Sequence, residues 1–218
     1  MKVGFVNQQN ASYMTWKSEK IPTEYGEPVY DVSTSYIANL TPANNEILTQ
    51  KGQATYRGHV ITNSNKETSN FHLANLTLNA DFNRMKISGT VTNRNDELLS
   101  NMVKYSEGAM GKEYTLDPDE VDPGYVELIT QEGMNQRIET YRTLPVKLEE
   151  GDIVVNDNRI SFGKSYEGIS FVAPDTGNKV LVSSGSYGGV FAGDKAQEVV
   201  GEITSGSNFA SFGAVEAK

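Results

Sequence analysis

The stretch Ala74-Asn75-Leu76-Thr77-Leu78-Asn79-Ala80-Asp81-Phe82-Asn83-Arg84-Met85-Lys86-Ile87-Ser88-Gly89-Thr90-Val91 decides the fold class of this chain. Ala74, Leu76, Leu78, Ala80 and Phe82 recur at every second position, with Asn75, Thr77, Asn79 and Asp81 between them. A period of two puts the apolar set on one side of a β-strand and the polar set on the other. After Asn83-Arg84 the alternation resumes, with Met85, Ile87, Gly89 and Val91 against Lys86, Ser88 and Thr90. Two such runs around a short polar turn make a β-hairpin with one face buried.

Working outward, Ala54–Ile61 (54–61) reads as a strand ending in the polar loop 62–70. Further strand-like runs lie at 125–130, 137–146, 152–155, 159–162, 180–184, 198–204 and 208–214, with the Gly-rich run Gly185-Ser186-Tyr187-Gly188-Gly189-Val190-Phe191 among them. Short strands with recurrent turn signals over a chain of this length predict an all-β fold, an eight-stranded antiparallel β-barrel. The barrel is expected over 51–218, behind a small handle-like α/β region over 1–50. In that region 29–37 reads as a strand and 42–48 as one helical turn. The turn-rich stretch 93–150 is read as an insertion that completes the handle, and an insertion of that length in a compact barrel is often functional.

Composition supports a chain with many turns and a modest core. Of 218 residues 20 are glycine, and hydrophobic residues are 37%, below the usual share. With no cysteine, disulfides, thiolate metal sites and cysteine nucleophiles are excluded. The net charge of -9, without a Lys/Arg cluster, argues against nucleic acid as a partner. No apolar run reaches the ~20 residues of a membrane-spanning helix, so membrane association is expected only through a lipid anchor. Met1 opens directly on polar-rich sequence and is read as a start following a removed export signal, the alternative being a native cytoplasmic start.

Two segments carry a family likeness. Gly52-Gln53-Ala54-Thr55-Tyr56-Arg57-Gly58 opens the barrel, and Phe191-Ala192-Gly193-Asp194-Lys195-Ala196-Gln197-Glu198-Val199-Val200-Gly201 comes near its end, followed by Phe209-Ala210-Ser211-Phe212-Gly213-Ala214. Together with 76–89 these resemble the C-terminal barrel of transferrin-binding protein B-like surface lipoproteins, a barrel also similar to those of factor H-binding protein and the haem-binding haemophilins. The 191–201 segment reads as a strand end at Phe191, a sharp turn at Gly193, a helical turn over 195–198 and a returning strand. It identifies the barrel rather than a ligand. The resemblance implies a protein exposed on the outer membrane or secreted by a Gram-negative bacterium, with help from an outer-membrane translocator and a cognate outer-membrane receptor. It implies a ligand that is haem or a host protein, bound for haem acquisition, colonisation, symbiosis or immune evasion.

His59 and His72 are the two histidines, and imidazole is a common haem-iron ligand. Both are candidate haem contacts, His72 on the apolar face of 74–78 and His59 on the face of Arg57 and Ile61. Lone barrel histidines are more often surface or structural groups. Tyr30 and Tyr36 are further candidates, within a set including Tyr13, Met14, Trp16 and Tyr25 that either lines a haem slot or forms an aromatic mini-core. Asp117, Asp119, Glu120 and Asp122 lack the spacing of a calcium loop, so a solvated acidic loop is expected. No G-x-S-x-G, H-E-x-x-H or phosphate-loop pattern appears. Glu149 and Glu150, as strand neighbours, point oppositely and make poor acid/base partners. A binding protein without enzymatic activity is the expectation.

Overall fold

The computed structural model describes the chain apart from positions 20, 24, 25, 30, 44–47, 49, 50, 63–70, 96–142, 157, 175, 176, 178, 184, 206 and 207. The first strands are β1 (Lys2–Asn7), β2 (Ala11–Lys17), β3 (Ile21–Thr23), β4 (Gly26–Val29) and β5 (Val32–Ala38). β1, β2 and β5 form an antiparallel sheet in that order, and β3 pairs with β4 as a separate hairpin. The barrel strands are β6 (Gln53–Thr62), β7 (His72–Asp81), β8 (Lys86–Thr92), β9 (Val146–Asn156), β10 (Arg159–Lys164), β11 (Ile169–Val172), β12 (Lys179–Ser183), β13 (Ser186–Ala192), β14 (Glu198–Ser205) and β15 (Asn208–Glu216).

These ten segments make an eight-stave antiparallel barrel. β9 pairs with β10 through residues 152–156 and with β11 through 146–148, so β10 and β11 are successive halves of one stave. β12 and β13 pair with β11 and β10 in turn and make the next stave. Across the break the ladder is carried by Glu149 N–H donating to Gly168 O at 2.9 Å and Gly168 N–H donating to Gly185 O at 2.8 Å. Staves follow one another in chain order, and β15 closes on β6 with Gly213 opposite His59. Closure removes the exposed sheet edges that invite pairing with other chains.

The hairpin over 74–91 forms as its alternation requires. Ala74, Leu76, Leu78, Ala80, Ile87 and Val91 are all buried, and Asp81 takes the backbone N–H groups of Asn83 and Arg84 at 3.0 Å to set the turn. An eight-stranded barrel is just wide enough for its own side chains, and this one is filled. Phe191 sits centrally, with ring centroids of Tyr56, Phe82 and Phe162 at 5.8, 5.4 and 5.1 Å. These edge-on and tilted geometries are the favoured ones for aromatic pairs. The Tyr187 hydroxyl crosses the interior and donates toward Glu149 O at 2.6 Å and Ile87 O at 3.1 Å.

Several expectations shift. The strand expected over 29–37 is divided, β4 ending at Val29 and β5 starting at Val32. The expected strand 152–155 begins earlier, at Val146, and pairs with β8. The C-terminal end of the stretch 93–150 therefore belongs to the barrel wall and not to a handle. Residues 96–142, with the expected strand 125–130 and most of 137–146, lie outside the described residues. The segment 195–198 is a turn rather than a helical one: Gly193 and Ala196 have positive φ (82° and 52°). In the first region the described architecture is a sheet; Leu48 and Lys51 are helical, and 44–47 lie outside the described residues.

Candidate binding surface

The three-stranded sheet has two unlike faces, set by register. Lys17, Thr15, Tyr13 and Ala11 of β2 share a face with Thr34 and Tyr36 of β5 and with Gly4 and Val6 of β1. This face lies on the outside of the barrel wall made by β6, β15 and β14. Tyr13 is buried in an apolar layer with Ala11, Ile61, Val190, Ala192 and Val200. Its ring lies so close over Gly213 that a Cβ there would collide with it. Burial pushes the Tyr13 hydroxyl up to about 12, against the hydrogen bond with the Gly213 backbone.

Polar pairs pin the rim of this layer. Asn10 donates its backbone N–H (2.9 Å) and its amide Nδ2 (3.0 Å) to the buried Glu198 carboxylate. Thr15 and Ser211 share a hydroxyl bond of 2.7 Å, and Thr34 donates to Glu202 at 2.8 Å. Thr41 donates its hydroxyl to Gly193 O at 2.8 Å and its N–H to Phe191 O at 3.0 Å. Burying charge and hydroxyls is costly unless they are paired, and here each is. The sheet is thus fixed to the barrel.

The opposite face points to solvent. It carries Val3, Phe5 and Asn7 from β1, Ser12, Met14 and Trp16 from β2, and Ser33, Ser35 and Ile37 from β5. Phe5 is 61% exposed, Val3 49% and Ile37 74%, while Met14 and Trp16 are half-buried. No side chain of this face is ionisable, in a chain of net charge -9. Exposed apolar residues scattered singly are ordinary, but a contiguous patch marks an interaction surface. The outer edge of β1 pairs with no strand among the described residues.

The described candidate haem contacts, His59, His72 and Tyr36, are not brought together. His59 is exposed on the outer wall, opposite Asn75 and Gly213. His72 sits opposite Thr62 on the inward register, at the barrel mouth, where its Nε2 lies 2.6 Å from Asn93 O. Tyr36 is on the barrel-facing side of β5; burial raises its pKa, as does Glu202, while Arg159 opposes both. Glu202 and Arg159 belong to β14 and β10, so Tyr36 lies across the sheet from His59 on β6. Tyr30 and Tyr25 lie outside the described residues. The aromatic set therefore divides: Tyr13 is in the mini-core, while Met14 and Trp16 face outward.

The acidic stretch 117–122 is also outside the described residues. Among those described, no group of three or more His, Asp or Glu is placed to hold a metal ion. Glu149 and Glu150 diverge as their strand positions require, Glu149 being buried and Glu150 exposed. Glu149 accepts from Ser170 at 2.5 Å and meets Lys179 at 2.9 Å and Lys147 at 3.3 Å. Burial works against its charge, but these donors outweigh it and hold the carboxyl below its usual value.

The solvent face is hidden in the sequence because the hydrophobicity of β1 and β2 does not alternate cleanly. Thr15 and Lys17 occupy the buried register of β2, while Met14 and Trp16 occupy the outward one. The available signal was the pairing of two apolar sets, Val3/Phe5 and Met14/Trp16, each at spacing two.

No family model matches the chain, and no curated protein matches it. Among solved structures the chain is similar to a double mutant of transferrin binding protein B from Haemophilus parasuis, with TM-score 0.46 and 15% identity over 97% of this chain and 33% of that one. It is similar to isotype 1 transferrin binding protein B from Neisseria meningitidis, with TM-score 0.39 and 16% identity over 99% of this chain and 35% of that one. It is also similar to the N-lobe domain of lactoferrin binding protein B of Moraxella bovis, with TM-score 0.40 and 14% identity over 99% of this chain and 80% of that one. The chain spans about a third of the length of the transferrin binding proteins B it matches.

Proposed function

We propose that this chain is a non-enzymatic protein, exposed on or secreted from a Gram-negative bacterium, that captures a host protein on the solvent face of its N-terminal sheet. The observation that carries this reading is the uncharged face of Val3, Phe5, Met14, Trp16 and Ile37, held rigidly on a barrel whose interior is full. A filled barrel offers no lumen to a small ligand, so recognition falls to the outside. Aromatic residues and Met are enriched, and charges depleted, at the centres of protein interfaces. The absence of Lys and Arg from the face disfavours an anionic lipid surface, which basic residues recognise. Three strands at ~4.8 Å spacing and about six residues at ~3.3 Å give a platform of roughly 300 Å². That is the core of an interface of about 800 Å² per partner, with the rim supplied around it. Surface location and host origin of the partner are supported by the resemblance of segments 52–58 and 191–201 to surface lipoproteins.

The test is capture from host serum on immobilised protein, followed by affinity measurement with the partner it yields. Phe5→Ser with Trp16→Ser should weaken binding at least ~30-fold, as truncation of interface anchors does, with the melting temperature unchanged. Unaltered affinity would sink the reading, as would a dimer of this chain formed through the same face in light scattering. Haem acquisition is the narrower reading of the resemblance. Titration with haemin tests it: a sharp Soret band of defined stoichiometry that changes in His59→Ala, His72→Ala or Tyr36→Phe would replace the protein-partner reading.

A further inference from the structure

A groove of about 420 Å³ runs along the outer wall over β9, β10, β13 and β14, away from the solvent face of the N-terminal sheet. That size lies within the ~300–1,000 Å³ of small-ligand sites. Its floor is bare main chain, because Gly163 and Gly188 stand opposite each other in the ladder. The two glycines have different causes. Gly163 has φ of +152°, and a Cβ on it would collide with the Tyr187 carbonyl, so the backbone requires glycine. Gly188 has ordinary strand geometry, and its Cβ would meet only Phe162 O at 3.3 Å. Packing accommodates alanine there with a small adjustment, and glycine in a strand interior weakens it. What Gly188 secures is open space above the floor, the form taken where a ligand approaches the backbone closely.

The walls are polar and of mixed sign. Ser161, Ser165, Ser186 and Thr204 supply hydroxyls, Asp152 and Glu202 carboxylates, and Lys164 an ammonium group. Ser186 and Thr204 bond each other at 2.7 Å. Lys86 engages Asp152 Oδ1 at 2.6 Å and Thr34 engages Glu202 Oε2 at 2.8 Å. The second oxygen of each carboxylate accepts no hydrogen bond among the described residues. Neither sign of charge dominates, so a strongly ionic ligand is not selected, and the hydroxyl lining does not suit an apolar one. Adjacent donors and acceptors with free carboxylate oxygens suit paired hydroxyl groups. We propose that this groove binds a short neutral carbohydrate, with Glu202 and Asp152 accepting from sugar hydroxyls above the Gly163–Gly188 floor.

The proposal stands without the host-protein reading, since the two surfaces share no residue. Its test is amide shift mapping of the labelled protein against lactose, maltose, cellobiose, chitobiose and mannobiose at millimolar concentration. At least one sugar should shift the amides of Gly163, Ser186 and Gly188. Glu202→Gln should weaken that sugar on the order of tenfold, the loss expected for a charged hydrogen bond. Gly188→Val, which fills the floor with a good strand former, should abolish binding. Phe5→Ser should leave it intact. The proposal is overturned if no sugar shifts these amides, if the shifts fall elsewhere, or if Glu202→Gln binds as well as the parent. The Gln variant keeps an acceptor for Thr34, so it decides the matter even if Gly188→Val fails to fold.

Discussion

Asn10, in the turn between β1 and β2, delivers both its backbone N–H and its side-chain amide to one buried carboxylate, Glu198, at the start of β14. A single residue of the barrel thus fixes where the N-terminal sheet turns. Removing the acceptor strands two donors, each at ~1–3 kcal/mol if left unsatisfied. Glu198→Ala should therefore destabilise by about 2–4 kcal/mol, read as a lower urea midpoint, with Asn10→Ala costing less. A midpoint within error of the parent would show that water replaces the carboxylate.

Tyr187→Phe removes a hydroxyl shared between Glu149 O and Ile87 O inside the barrel. Those carbonyls belong to β9 and β8, at a shift in their register between Ile87 and Gly89. The loss should be about 1–3 kcal/mol in urea unfolding, with faster amide exchange at Gly151 and Ser88. Unchanged exchange would mean that the bulge holds itself.

Glu149 gives a pH signature. Its folded-state carboxyl is held below its usual value by Ser170, Lys179 and Lys147, which outweigh burial. The unfolded chain then binds the proton more readily, so the stabilisation is present above the unfolded pKa of ~4.3 and is lost as pH falls through the folded value. Urea midpoints measured from pH 6 down to pH 3 should fall less steeply in Glu149→Gln than in the parent. Parallel curves would assign the acid sensitivity to other carboxylates.

Gly213 lies under the Tyr13 ring. Gly213→Ala should force the sheet off the wall at a cost of about 1–3 kcal/mol, as overpacking does. The sign of detachment would be proteolysis between β5 and β6 with the barrel left intact. Resistance equal to the parent would mean that the sheet slides without loss.

The barrel was legible in the sequence wherever one side of a strand meets water. In 74–91 alternation and burial coincide, and Gly193 marked its turn through its φ. Legibility ended where both sides of a strand are covered. Ile169–Val172 is buried at all four positions and gives no period. β2 was obscured differently: its burial alternates, but its inner row meets the barrel with Thr15 and Lys17 while Met14 and Trp16 face outward. The solvent face was obscured for the same reason: an outward row of Val3, Phe5, Met14 and Trp16 resembles a core until the register shows which side the barrel occupies. No spacing in the sequence announced the Gly163–Gly188 floor, because it arises from cross-strand pairing.

The wall on which β2 rests is built from β14 and β15, and β15 is also the stave that closes on β6. Asn10 meets Glu198 across 188 positions of sequence. Most other stave pairings join strands close in sequence and can form as their hairpins appear, the exception being β8 with β9, which closes over residues 93–145. Ring closure and sheet docking must both wait for the same late strands. During synthesis, then, residues 2–38 are without their resting place until residues 198–216 have arrived. The two long-range joints of the molecule, β15 to β6 and Asn10 to Glu198, are therefore completed together.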